Sequence, residues 1–203
     1  MKNIWIILLS AATFSSCIKH VVIPPPLAQV DLSASFVADT SGAQIGYVKG
    51  VNGFYVQATN YREILTSPQP SNIKYYSAIL STNLQDLFKV SIGRDFWDAS
   101  AGPFPPANQF RVFFESLSNV PFSNDGDNGV MLEWRDSNNQ LWKTSATSPN
   151  PQSFFFTSIS QESDEAGDYV RFSATFSATF YSPDMSQTRT LTNGQYVGYF
   201  QNN

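Results

Sequence analysis

"YVRFSATFSATFY", residues 169–181, alternates without interruption: Val170, Phe172, Ala174, Phe176, Ala178 and Phe180 on one side, Tyr169, Arg171, Ser173, Thr175, Ser177 and Thr179 on the other. A strict period of two sends each set to its own face of an extended chain, which describes a β-strand with one side against a core. At about 3.3 Å per residue this strand exceeds the usual length, so a bend or bulge partway is expected. The same period recurs upstream. "VDLSASFVA", residues 30–38, aligns Val30, Leu32, Ala34, Phe36 and Ala38 opposite Asp31, Ser33 and Ser35. "YVKGVNGFYVQA" sets Asn52-Gly53 between two β-prone runs, and that pair tolerates the positive φ of a type I′ hairpin turn. "IKYYSAIL" and "DLFKVSIG" read as further strands after the turn-rich "SPQPSN", and "TRTLTNGQYVGYF" carries a second Asn-Gly connection at Asn193-Gly194.

One segment breaks the period. "ANQFRVFFESL", residues 107–117, places Phe110, Phe113, Phe114 and Leu117 at i, i+3, i+4 and i+7, the apolar stripe of a helix. Pro105 and Pro106 can open its first turn, and Asn119 and Pro121 end it. The competing assignment is a strand, since Phe and Val are also β-prone. The fold expected is all-β: a largely antiparallel β-sandwich, immunoglobulin-like or jelly-roll-like, with one short helix near 108–117. It would cover residues 30–203, as one body or as halves 30–100 and 105–203.

The first 29 residues read differently. Lys2, the apolar run Ile4 to Leu9 and the small residues Ala11, Ala12, Ser15 and Ser16 form a secretory signal peptide over residues 1–16, too short for a membrane-spanning helix. "TFSSCIKH", residues 13–20, then holds the only cysteine and the only histidine. Phe14-Ser15-Ser16-Cys17 resembles the lipobox of bacterial lipoproteins, and the resemblance implies that Cys17 is acylated and becomes the mature N-terminus. Three acyl chains at about 0.8 kcal/mol per buried methylene anchor a protein almost irreversibly. A thiol used in this way is no nucleophile, and Cys17 with His20 has no orienting third group. No aspartate follows Cys17, which in such lipoproteins favours the outer membrane; the side it faces stays open. Residues 17–29, with Pro24-Pro25-Pro26, form a semi-rigid tether.

Composition narrows the function. Removing residues 1–16 leaves 187 residues with 15% aromatics in the whole chain to build a core and only 14% charged residues, so the chain is no disordered acidic tail. The net charge of −4 and the lack of any basic run argue against nucleic acid. With Cys17 acylated there is no disulfide. His20, alone and outside the domain, excludes a serine triad or a histidine metal site. No cofactor is expected.

Three sites remain to be weighed. "NDGDNG", residues 124–129, sets Asp125 and Asp127 at alternate positions as calcium loops do. Gly129 and Val130 stand where a further ligand and the required glycine belong, and no glutamate closes the loop, so a turn at Asn128-Gly129 into the strand "VMLEW" is the better reading. "QESDEAGD" is a solvated hairpin loop. A glycosidase would need two carboxylates flanking a bond, one with a raised pKa; Glu133 and Glu115 are the pair that could meet, though their spacing does not require it. Tryptophans provide the third site, because the apolar face of a pyranose stacks on a flat ring. A two-residue turn at Ser137-Asn138 would pair Trp134 with Leu141 and Trp142 with Glu133, sending the two indoles to opposite faces. Trp97, in the loop-like "DFWDASAGPFPP", is the third candidate. The alternative is that all three rings are core.

The second half of the chain resembles a group of small outer-membrane lipoproteins from Gram-negative bacteria rich in surface glycan systems. The likeness rests on an ordered set over about residues 107–203: "FRVFFESL", "PFSNDGDNGVMLEWRDSNNQLWKTS", "SFFFTSIS", "FSATFSATFY" and "TLTNGQYVGYF", with Asn139 in place of the usual turn glycine. It implies a β-sandwich on a lipid tether with no assigned activity. The function expected is a membrane-anchored, non-enzymatic binding or accessory module, with glycan or an envelope protein as partner. A structural subunit of a surface complex is the alternative, and a carboxylate glycosidase a more distant one.

Overall fold

The computed structural model describes residues 29–83, 85–117 and 119–203; the expected signal peptide over 1–16, Cys17, His20 and the expected tether up to residue 28 lie outside them. The described residues form strands β1 (Ser35–Thr40), β2 (Ala43–Val48), β3 (Phe54–Glu63), β4 (Ser71–Ser81) and β5 (Leu87–Trp97), then a 3-10 turn at Ala99–Ala101 and helix α1 (Ala107–Glu115). After the helix come β6 (Gly129–Arg135), β7 (Leu141–Thr144), β8 (Ser153–Asp164), β9 (Gly167–Tyr181) and β10 (Thr188–Gln201). All pair antiparallel in one open sheet ordered β2-β1-β10-β9-β7-β6-β5-β4-β3, with β8 also on β9. This is the expected all-β, sandwich-like fold with one short helix.

The sheet folds over itself because its strands are apolar on one face only. One layer is β3 to β7, the other β8, β9, β10, β1 and β2; they join at a narrow seam where Lys143 and Thr144 pair with Tyr181 and Phe180. Across the core, Phe36 of β1 stacks on Phe88 of β5 at 3.9 Å, and Phe88 on Phe176 of β9 at 5.3 Å. The hydroxyls of Ser77 and Tyr196 meet at 2.9 Å between β4 and β10. One buried cluster runs from Phe36 to Phe200, and β5 pairs with β6 from Leu87↔Arg135 to Gly93↔Gly129. Helix α1 covers one end of the sandwich, with Phe110 and Phe114 fully buried and the Phe114 ring 4.9 Å from Phe200.

Strand β9 has the predicted faces: Val170, Phe172, Ala174, Phe176, Ala178 and Phe180 are all buried. The expected irregularity lies in its partners instead. β8 carries an extra residue between Phe156 and Ser158, and β10 between Leu191 and Gly194. Asn193-Gly194 is that second bulge, inside a continuous strand, and not a hairpin connection. Asn193 takes φ 50°, and the extra residue flips the alternation so that Leu191 before it and Tyr196 and Phe200 after it all point inward. Asn52-Gly53 does make the predicted turn, with φ of 52° and 77° and a Phe54 N–H to Val51 carbonyl bond of 3.1 Å. The strands it joins, β2 and β3, are the two ends of the sheet order and not ladder partners.

Candidate functional site

The three tryptophans are core. Trp97, Trp134 and Trp142 are 2%, 6% and 2% exposed, and each indole N–H is used internally, on the Gly102 carbonyl, the Tyr47 hydroxyl and the Asp136 carboxylate. Trp97 ends strand β5 and does not lie on a loop. Trp134 and Trp142 face the same way because the connection after β6 has three residues, Ser137-Asn138-Asn139, with Asn139 at φ 62° and the Asp136 N–H bonded to the Gln140 carbonyl. The extra residue makes Trp134↔Trp142 a direct pair with rings 6.4 Å apart, where a two-residue turn would have separated them.

The acidic candidates are committed to the protein's own groups. Asp127 pairs with Lys74 and Arg94, and Asp125 accepts from the Asp127 backbone N–H at 2.9 Å and the Ser123 hydroxyl at 3.0 Å. Among the described residues no cluster of three His, Cys, Asp or Glu could hold a metal. The loop instead turns at Asn128, φ 52°, into β6. Glu133 lies between Lys89 of β5 and Lys143 of β7, with Lys143 Nζ at 2.8 Å. Burial pushes its carboxyl up, but hydrogen bonds and charge from the two lysines outweigh burial and hold it below its ordinary value. That shift is opposite to the one a general acid needs. Glu115, well exposed on α1, faces Arg111 at 3.7 Å, so the two glutamates are not brought together as a pair.

What remains is the outer face of β9. "SFFFTS" supplies three consecutive phenylalanines, and a strand cannot bury all three. Phe154 is fully buried and Phe156 packs on it and on Phe172, both at 5.3 Å; Phe155 is turned outward, 43% exposed, without a ring partner. The register sets Phe155 beside Thr175 and Thr175 beside Gln195, with Ser153 beside Ser177. These side chains and the bulge at Asn193-Gly194 enclose a shallow hollow of about 350 Å³. Gly194 is indispensable there: a Cβ would run into the Phe176 ring directly beneath.

The chemistry of this hollow is uniform. Ser153, Thr175, Ser177 and Gln195 make no side-chain hydrogen bond to a described residue, and each can both donate and accept. No ionisable side chain lines it. Asp39 adjoins the hollow through Asn193, accepting from the Asn193 amide at 2.9 Å and from Gln44 at 3.1 Å; these bonds hold its pKa below the ordinary value. An exposed phenyl plate within a ring of neutral hydroxyl and amide groups can hold a ligand with an apolar face and polar edges. Composition and motif reading passed over Phe155; the signal was present in the parity of "SFFFTS". The chain matches no known family, no curated protein and no solved structure.

Proposed function

We propose that the protein is a lipid-anchored, non-enzymatic binding module of the outer membrane, held through acylated Cys17, and that it binds neutral glycan against Phe155. The observation that carries this reading is the set of unpartnered neutral donors and acceptors around an outward-facing aromatic ring on a rigid sheet. A sugar ring offers C–H bonds on its face and hydroxyls at its edge, so its face matches the phenyl plate and its edge matches Ser153, Thr175, Ser177 and Gln195. Glycan at the cell surface is also the material that a tethered envelope protein meets. The test is affinity electrophoresis through gels containing neutral polysaccharides such as xyloglucan, galactan or mannan. At least one should retard the wild-type chain, and Phe155→Ala should run as in an empty gel while Tyr61→Ala, on the opposite layer, stays retarded. Failure of every neutral polysaccharide to retard the wild type would end the sugar reading, and a stoichiometric protein partner in a pull-down would favour a structural subunit. The anchor is tested separately, by mass spectrometry of Cys17 in protein from the native host.

A further inference from the structure

The outer face of β9 does not end at Phe155. Its side chains continue in order as Thr175, Ser177, Thr179 and Tyr181, and six residues of strand span about 20 Å. Thr175 and Ser177 line the hollow described above; Tyr181 lines a second one of about 310 Å³ at the seam between β7 and β9. Between them Thr179 is covered by Asn150, whose amide donates to its hydroxyl at 3.3 Å.

The second hollow differs in charge. Its walls include Asn124, Ser145, Tyr181 and Met185, and Lys143 is the one ionisable cation among the lining residues. Lys143 belongs to a row, Lys89–Glu133–Lys143–Tyr181, that crosses β5, β6, β7 and β9 on one face. Two ammonium groups share a single carboxylate in that row, so one positive charge is left over. Glu133 is buried at 6% side-chain exposure while Lys143 is 48% exposed, which places the surplus charge on the side open to a ligand. Asp184, in the adjoining turn, is bonded within that turn: the Ser182 hydroxyl and the backbone N–H and hydroxyl of Ser186 all donate to its carboxylate. The face thus has a polarity, with Asp39 near the Phe155 end and Lys143, which shares the Glu133 carboxylate with Lys89, at the seam.

We propose, resting on the glycan reading of Phe155, that the seam hollow is a second subsite for the same chain and takes a carboxylate-bearing sugar. The ligand would be an extended acidic polysaccharide, the face of one sugar unit on Phe155 and the uronate carboxylate of another on Lys143. The spacing makes a short oligosaccharide unable to fill both hollows.

The experiment is calorimetric titration of the purified full chain in detergent with oligogalacturonides of two to eight units, beside a neutral galactan, at low and high salt. Affinity for the acidic series should rise steeply once the oligomer spans both hollows. Lys143→Gln should weaken the long acidic oligomers about five- to tenfold, remove their salt dependence and leave galactan binding unchanged; Lys143→Arg should restore both, with circular dichroism unchanged throughout. Equal binding of long acidic oligomers by wild type and Lys143→Gln, equal affinity for dimers and octamers, or no acidic binding at all would overturn the second subsite. In those cases loss of galactan binding in Phe155→Ala would leave the first reading standing. Galactan and oligogalacturonide binding both indifferent to Phe155→Ala would remove both.

Discussion

Phe154 and Phe155 are chemically identical neighbours, and the structure assigns them opposite consequences. Phe154 is fully buried, edge-on to Phe156 at 5.3 Å, so Phe154→Ala removes a whole side chain from the core and leaves a cavity. Substitutions of that kind cost about 3–5 kcal/mol. Phe155 retains 43% exposure and touches no other ring. Burying a phenylalanine completely is worth about 1.5–3 kcal/mol, so the half-covered ring contributes on the order of 1 kcal/mol. The two variants should therefore differ by about 2–4 kcal/mol in unfolding free energy. Guanidinium unfolding of a soluble form beginning at residue 27 would measure this, followed by the emission of buried Trp97, Trp134 and Trp142. Phe154→Ala should move the midpoint far to lower denaturant and Phe155→Ala only slightly, while in gels with neutral polysaccharide only Phe155→Ala loses retardation among variants that remain folded. Equal destabilisation by the two substitutions would show that the face assignment of β8 is wrong, and the site built on it would go as well.

Three other outcomes follow from particular contacts. Asp95 is buried beside Gln109, and burial raises its pKa while hydrogen bonds from Gln109, the Phe96 backbone and Tyr75 only partly oppose it. Its protonated form is the one the fold favours, so stability should decline as pH rises from the ordinary carboxylate value of 3.8 through the raised folded value. Asp95→Asn should flatten that decline in pH-dependent melts and raise stability at neutral pH; a variant less stable than wild type at neutral pH would contradict it. Glu133 behaves in the opposite sense: its depressed pKa gives stability that is complete above the unfolded value and lost as pH falls through the folded one. Because Lys89 and Lys143 are partly exposed, Glu133→Gln should cost only about 1–2 kcal/mol near neutrality and weaken the acid dependence of unfolding. Gly194→Ala should cost about 1–3 kcal/mol by displacing the Phe176 ring from its stack with Phe88, seen as altered near-ultraviolet circular dichroism; an unchanged spectrum and melting point would count against that packing.

The pattern of these results follows how far each feature depends on local chemistry. Period-two alternation in residues 169–181 and the 3.6-residue stripe at 107–117 were legible because each element's buried face is written in its own residues, and both appear as β9 and α1. Asn52-Gly53 and Asn193-Gly194 look alike in sequence and both contain an asparagine at positive φ, yet one is a turn and the other a bulge. The dipeptide specifies a backbone conformation; the partner of the flanking strand decides whether the chain reverses or kinks. One residue in the connection after β6 decided the faces of Trp134 and Trp142 in the same way.

Read alone, the chain determines the period of its individual strands and helix, that residues 30–203 carry no thiol or imidazole, and that Cys17 follows an apolar run and small residues. Tertiary pairing alone decides which outward residues become neighbours. Phe155, Thr175 and Gln195 are 20 residues apart at each step, and Lys143 and Tyr181 are farther still, but hydrogen-bonded strands lie only about 4.8 Å apart and turn distant residues into one surface. Side-chain periodicity is a property of a single strand, whereas a binding face is a property of strand register, and register is set by bulges, turns and the shared core.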